Sequence, residues 1–455
     1  MITETSKPTD KPMNKPAELG EGKITETLKR QRESFLQDPF PDANLRIDRL
    51  NRAIDLLRSN KDKLAQALND DFGHRSNFQS VVLDILIPID SLKYCKKHTR
   101  SWMKPEHRGA KFPLNLLGAK AHVFYQPVGV VGIVSPWNFP VQLSFSPLAN
   151  ALSAGNRAMI KPSELTPQTS LLIDELIQHY FDPTEVAVIN GDKDTGVEFT
   201  RQGFDHLIFT GAPSVAKHVM RAAAENLVPL TLELGGKCPV IIGSDANLAQ
   251  SVERTLTFKT INAGQICLAP DYIFVPQQRL QEFIHLSKQF IKNNFGTLGD
   301  NPDYTSVINQ RNHQRLSHYI DNAQASGAEI IPLSDNVITQ QQDRYNKLTP
   351  TLIINPPTDT LCMQEEIFGP IFPVKTYENI NEVIGHINQG ERPLALYFFG
   401  QSGNDINHIK QKTVSGGMVV NDIAAHVLQD SMPLGGIGHS GMGSYHGFDG
   451  FRQLS

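Results

Sequence analysis

"AMIKPSELTPQTSLLIDELIQHYFDPTEVAVING", residues 158–191, decides the fold. A short apolar run ends at Lys161-Pro162, a stretch opened by Pro167 repeats its apolar residues every three or four positions, and "VAVI" forms a second apolar run. Strand, helix and strand joined by short connections are the unit of a parallel sheet. The same alternation extends both ways. Upstream, "AHVFYQPVGVVGIVS" (121–135) gives two strands and "VQLSFSPLANALSAG" (141–155) a helix. Downstream come strand "HLIFTG" (206–211), helix "SVAKHVMRAAAENL" (214–227) and strand "LTLELGG" (230–236). The expected class is α/β with a doubly wound, Rossmann-type sheet. Helical spacing from Ile24 to about Lys104 predicts a helical entry, and a second α/β run follows from Cys238 to about Asp430.

Composition narrows the function. With 455 residues the chain is too long for one core, and 40% hydrophobic with 20% charged residues is ordinary for a soluble globular protein. A net charge of -4 gives no footprint for nucleic acid or an anionic membrane, so a small-molecule substrate is expected. Prolines and glycines break the most apolar stretch, "HVFYQPVGVVGIVSPWNFPV", which excludes an uninterrupted spanning helix. Residues 1–23 have no apolar segment of the signal-peptide kind and read as a disordered arm. Four cysteines without a CxxC pair argue for a reducing, cytoplasmic location, and histidines without a ligand pattern argue against a metal.

A doubly wound sheet binds its ligand at the carboxyl ends of its strands. "GIGHSG" (436–441) matches the dinucleotide fingerprint in letters, but no buried strand precedes it and too few residues follow for a βαβ unit, so it reads as a glycine-rich loop. The better strand ends carry polar groups: Asn138 in "SPWNFP" as an exposed-looking amide, Lys161 and Glu164 in "KPSE", Gly211 in "FTG" before a helix, and Glu233 in "LELGGK". Each alone has a structural explanation as a turn former, a surface pair or a solvated acid. Together they precede an isolated thiol, Cys267, on a turn bounded by Gly264 and Pro270 in "INAGQICLAPDYIFV". Cys238, in "CPVII", reads as a buried small hydrophobe.

In this order, "SPWNFP", "KPSE", "FTG", "LELGGK", "NAGQIC", "EEIFGP" and "SGGMVVND" resemble the signature segments of the NAD(P)-dependent aldehyde dehydrogenase superfamily. "GQICLAPDYI" and "PLGGIGHSGMGSYHG" look like its shorter branch, which includes fatty and aromatic aldehyde dehydrogenases, and the stretch from "KYCKKHTRSWMKPEHRG" to "FSPLAN" is similar to coniferyl aldehyde dehydrogenases. Two departures stand out: Ala216 sits where relatives often have another glycine, and relatives usually continue past Ser455. The resemblance implies a nucleotide domain (24–108 and 128–235), a catalytic domain (236–432) and oligomerisation or bridging segments (109–127 and 433–455). A strand near 121–126 would pair with another subunit in a homodimer.

The resemblance also assigns roles, and the chemistry agrees with them. Cys267 would attack the aldehyde as a thiolate, favoured by the turn and its dipoles or released by a base. Asn138 and the Cys267 backbone N–H would hold the oxyanion, and Glu233 would activate the water that hydrolyses the thioester. NAD, with NADP possible, would be bound by Trp137, Lys161, Ser163, Glu164, Gly211, Glu366 and Phe368. Glu164 accepting from both ribose hydroxyls would repel a 2′-phosphate and so favour NAD. Rival readings are a cysteine hydrolase, a CoA-acylating or semialdehyde dehydrogenase, and a binding protein that kept the fold. Intact Cys267, Asn138 and Glu233 speak against the last, and Glu233 against CoA acylation.

Overall fold

The computed structural model describes residues 22–338 and 345–455. The expected arm therefore lies outside the described residues, apart from Gly22 and Lys23, which open the first helix, Gly22–Gln37. The strands, in chain order, begin with a small hairpin, β1 (Glu106–Arg108) and β2 (Ala121–Val123). Next come β3 (Val130–Val134), β4 (Arg157–Lys161), β5 (Val186–Val188), β6 (His206–Gly211) and β7 (Leu230–Leu234). A second group holds β8 (Cys238–Ile242), β9 (Pro270–Pro276), β10 (Glu329–Pro332), β11 (Thr351–Ile354), β12 (Ile371–Tyr377), β13 (Ala395–Phe399) and β14 (Gly417–Val420), and β15 (Gly441–Met442) follows.

Two large sheets result. The first has order β15-β7-β6-β3-β4-β5 and is parallel except for β15, which runs antiparallel to β7. The second, β10-β11-β12-β9-β8-β13-β14, is parallel except for β10. Strands buried on both faces must be apolar throughout, and β4, β8, β9 and β13 are buried along their whole length. In the first sheet the chain leaves β3 toward β4 and β5, then returns to the other side of β3 for β6 and β7. The carboxyl ends of β3 and β6 thus meet at the switch point, where the connections diverge and leave a crevice.

Helices cover both faces of that sheet. Ile24 and Leu28 of the first helix pack with Val130, Met159 and Phe209 on one face. On the other, helices Ala43–Ser59, Lys61–Phe72 and Ile87–Trp102 join Val131, Ile133, Ala158 and Ile160. Helix Gln142–Ala154 lies among them and is buried from Ser144 to Ala154, its polar positions being mostly small serines. Buried Arg46 tethers its end, giving Nη1 to the carbonyls of Ser153 at 3.1 Å and Ala154 at 2.6 Å.

Residues 434–454 return to the first sheet. Gly441 pairs with Glu233, Phe451 enters the core, and the Leu454 carbonyl accepts from Asn156 Nδ2 at 2.9 Å. The hairpin, by contrast, stands away from the body: Phe112 and Leu116 are each 72% exposed, Leu117 80% and Phe124 64%. Among the described residues, no helix is long and apolar enough to cross a membrane.

Candidate active site

The thiol turn begins where helix Leu248–Thr260 ends. Asn262 (φ 49°), Ala263 (φ 50°) and Gly264 (φ 73°) are successively left-handed, a conformation that costs a side-chain-bearing residue about 1–2 kcal/mol. Side chains hold it there. Gln79 Oε1 accepts from the Asn262 N–H at 2.9 Å, while Asn262 Nδ2 donates to the carbonyls of Asn138 at 3.1 Å and Gln265 at 3.3 Å. Gln265 spans the loop, donating to the Asn262 and Ser306 carbonyls and accepting from the Ile308 N–H. A Cβ on Gly264 would collide with the Gly369 carbonyl oxygen at 2.5 Å, so only glycine fits against the "EEIFGP" segment there.

Cys267 emerges from this turn as the only partly exposed cysteine; Cys95, Cys238 and Cys362 are buried. Cys238 lies behind it, its Sγ 3.5 Å from the Cys267 carbonyl oxygen, as expected of a packing residue. Asn138 differs from expectation: it is buried, only 4% exposed. The SPWNFP loop folds inward, and Asn138 Nδ2 donates to the Gln265 carbonyl at 3.1 Å, which leaves one amide hydrogen for another acceptor.

Two acids face the thiol. Glu233, on β7, is 5% exposed and its Oε1 has no hydrogen-bond partner among the described residues, so burial drives its carboxyl well above the ordinary range. Glu366 places Oε1 3.2 Å from the Gly236 N–H, and burial with the charge of Asp271 raises it to about 8. Burial first, then Glu366, then Glu233 push the Cys267 thiol up to about 12. These influences outweigh the backbone hydrogen bonds of Cys267 and Leu268, which act to lower the thiol. Tyr445, fully enclosed, also feels both Glu233 and Cys267.

The "EEIFGP" segment is firmly braced. Lys237 pairs with Asp271 and donates to the Cys362 and Glu365 carbonyls, each at 2.9 Å, while Asp271 Oδ2 accepts from the Ile367 N–H. Arg315 donates to the Ile367 carbonyl, and Tyr319 to Glu365, which is thus not a free surface acid. Phe368, at φ 49°, sets its ring 5.3 Å from Trp137, edge to face.

At the end of β4, Lys161 is buried; Nζ donates to the Pro162 and Gly191 carbonyls, both at 3.1 Å, with Glu164 at 3.5 Å and half in solvent. Ser163 turns its hydroxyl to the Leu165 N–H and its carbonyl to Ser170, shaping the loop. Gly211 ends β6 just before helix Pro213–Ala224, whose first turn receives no side-chain cap because Ala212 has no acceptor. Gln79, Asp271, Arg315 and Tyr445 escaped the sequence reading. Asn262, ahead of a glycine, carried a visible signal, since asparagine favours left-handed backbone. Among the described residues no group of three or more His, Cys, Asp or Glu could hold a metal.

This arrangement, a partly accessible thiol within electrostatic reach of two acids, belongs to a family that the chain matches over residues 3–455. Residues 3–455 fit the model of the aldehyde dehydrogenase family, and the chain is a member of it. It is 48% identical over 439 residues to a coniferyl aldehyde dehydrogenase of Pseudomonas sp. strain HR199, covering 96% of this chain and 90% of that protein. A substrate-bound AldH of Staphylococcus aureus superposes with TM-score 0.89 at 34% identity, covering 95% of this chain and 92% of that one. A betaine aldehyde dehydrogenase of the same organism, solved with NAD+, gives 0.85 at 26%, covering 95% and 87%. The chain is an NAD(P)-dependent oxidoreductase that converts an aldehyde to its acid.

Proposed function

We propose that the chain oxidises an aromatic or medium-to-long apolar aldehyde, coniferyl aldehyde first, with Cys267 as nucleophile and NAD as the preferred acceptor. The position of Cys267 carries the assignment of the nucleophile: of four cysteines it alone is accessible, and Glu233 and Glu366 both act on it. The substrate rests on the coniferyl aldehyde dehydrogenase relative and on apolar surroundings, since Cys267 packs against a cluster that includes Phe139, Ile266 and Ile423, as do Leu83, Leu143 and Val427.

Glu233 takes the thiol proton or, later, that of water; its Oε1 has no hydrogen-bond partner among the described residues. The thiolate sulfur bonds to the carbonyl carbon, and the oxygen gains charge that the second Asn138 N–H and the Cys267 N–H hold. Bound NAD supplies the hydride acceptor. The thioester on Cys267 is then cleaved by water, giving the carboxylate and the thiol. The residues present fit a dinucleotide. Lys161 and Glu164 present a cation and a half-exposed acid at a strand end, with Ser163 shaping their loop. The uncapped helix after Gly211 faces the crevice where a pyrophosphate is favoured. Trp137, Glu366 and Phe368 would flank the nicotinamide side. Glu164 would repel a 2′-phosphate.

Residues 24–108 with 128–235 are proposed as the nucleotide domain and 236–432 as the catalytic one. Segments 109–127 and 433–455 bridge subunits in a cytoplasmic homodimer, which would cover the apolar hairpin tip. A panel of aldehydes with NAD and NADP tests the substrate and cofactor. Turnover confined to acetaldehyde or charged semialdehydes would refute the aromatic assignment.

A further inference from the structure

The SPWNFP loop that carries Asn138 is gripped by a segment outside every motif, residues 72–84. Arg75, 2% exposed, holds its guanidinium between two rings, with Cζ 4.5 Å from the Phe72 centroid and 5.0 Å from the Phe139 centroid. Phe139 directly follows Asn138, and Phe72 lies 6.2 Å from Trp137, which directly precedes it. The cation thus meets one neighbour of Asn138 and reaches the other through a single ring. Asp84 completes the grip. Its Oδ2 is 3.2 Å from Arg75 Nη2, both side chains are wholly buried, and its Oδ1 accepts from the Gln142 N–H at 2.7 Å, where the loop passes into helix Gln142–Ala154. Asp84 sits on a π-helical turn, Ser80–Leu86, and Gln79 just ahead of it braces Asn262, whose Nδ2 holds the Asn138 carbonyl.

Stability alone does not account for this buried ion pair. Desolvating two charges offsets most of their attraction, and an apolar pair of similar volume is often as stable. Neither Nε nor Nη1 of Arg75 has a hydrogen-bond partner among the described residues, so the guanidinium is far from its full donor capacity. What the pair supplies is a fixed plane. A guanidinium is flat and rigid, and one clamped by a carboxylate presents both faces at a set angle to the rings lying against it. π-Helical turns such as the one carrying Asp84 are rare and occur frequently at functional sites.

We propose that Arg75 and Asp84 are positioning residues for the oxyanion donor: the pair fixes Phe139 and the Gln142 N–H beside Asn138 and so aims the second amide hydrogen of Asn138 at the carbonyl oxygen of the substrate. Neither residue touches substrate. This rests on the reading of Asn138 as an oxyanion donor given above and adds what aims it. Aim matters because an oxyanion donor acts only within about 2.7–3.1 Å of the developing charge, and a displacement of about 1 Å can cost roughly 10²-fold in rate.

The test removes the grip without burying a lone charge, in an enzyme carrying both Arg75→Leu and Asp84→Asn; asparagine keeps an acceptor for the Gln142 N–H. The readouts are the rate of the first NADH turnover at saturating NAD and aldehyde, and the aldehyde concentration giving half of it, for an aldehyde that the wild type oxidises. Rates are taken per thiol, counted by mass spectrometry as Cys267 alkylated by iodoacetamide, so that loss of folded enzyme cancels. The paired variant should slow the first turnover about 10- to 100-fold and leave the half-saturating concentration unchanged, since the misplaced contact belongs to the transition state. Asn138→Ala should itself slow it about 10²–10³-fold. Adding the paired substitutions to Asn138→Ala should then cost less than about twofold, because nothing is left to aim. An equal fold loss in both backgrounds would overturn the proposal, as would a wild-type rate in the paired variant or a loss confined to half-saturation. A full rate in Asn138→Ala would instead overturn the reading of Asn138, and the proposal with it. If the paired variant does not fold, Arg75→Lys, which keeps a charge opposite Asp84 but loses the flat fork, carries the same two comparisons with the same outcomes.

Discussion

Replacing Glu233 by glutamine keeps the shape of the side chain and removes its basicity. In the structure Glu233 is the last of three influences raising the Cys267 thiol, behind burial and Glu366. Its loss therefore leaves the thiol far above an ordinary cysteine. With the thiol near 12, the thiolate fraction at pH 8 is about 10⁻⁴ before any cofactor or substrate binds. Loss of a general base slows the step it serves by roughly 10²–10⁴, or about 3–5 kcal/mol of barrier. If that step is thioester hydrolysis, each site completes one hydride transfer and then stalls. Rapid mixing of the variant with NAD and aldehyde should show a burst of NADH approaching one per site and then a slow steady rate, and mass spectrometry should find the acyl group on Cys267. Should Glu233 also deprotonate the thiol, the burst itself slows and recovers as pH rises. Wild-type turnover by the variant would refute the assignment.

Other outcomes follow from the same geometry. Cys267→Ala should abolish aldehyde oxidation while NAD binding, followed by fluorescence, persists; Cys238→Ala should cost only packing, about 1–2 kcal/mol in denaturant unfolding. Glu366 is raised from 4.5 to about 8 in the fold, so its contribution to stability is full below 4.5 and is lost as pH climbs through 8. Glu366→Gln should accordingly melt increasingly above the wild type between about pH 5 and pH 8, whereas a constant difference there would contradict the burial argument. Arg46→Met leaves the Ser153 and Ala154 carbonyls unpaired and should destabilise on the order of 3 kcal/mol by chemical denaturation. Charging the hairpin with Leu116→Glu and Leu117→Glu should shift sedimentation toward monomer without altering the circular dichroism spectrum; an unchanged sedimentation coefficient would count against the dimer.

The doubly wound sheet was legible because parallel strands are buried on both faces and their sequences are continuous apolar runs; β3, β5, β6 and β7 fall within the segments read as strands, and β4 begins one residue before its segment. Short elements were not. Helix Lys193–Thr200 carries too little periodicity to be seen, and β15 is only two residues long. The motif residues stood out through residue type and their place at strand ends. What sequence could not reveal was burial. Asn138 looks exposed beside its prolines, yet the inward fold of the loop encloses it. Nor could it show partners distant in the chain: Gln79 braces Asn262 across 183 positions, and Arg315 reaches the Ile367 carbonyl across 52. Glycine-rich 436–441, set aside as a nucleotide turn, is the stretch that brings β15 alongside Glu233.

That late return to the sheet bears on how the enzyme comes into being. A growing polypeptide that has left the ribosome only as far as residue 430 already contains the thiol turn and every strand that braces it. It lacks the edge strand beside Glu233, the Tyr445 ring and the Leu454 carbonyl that ties down Asn156. Enclosure of Glu233 at the sheet edge therefore depends on contacts made by residues 434–454, far along the chain from the thiol turn.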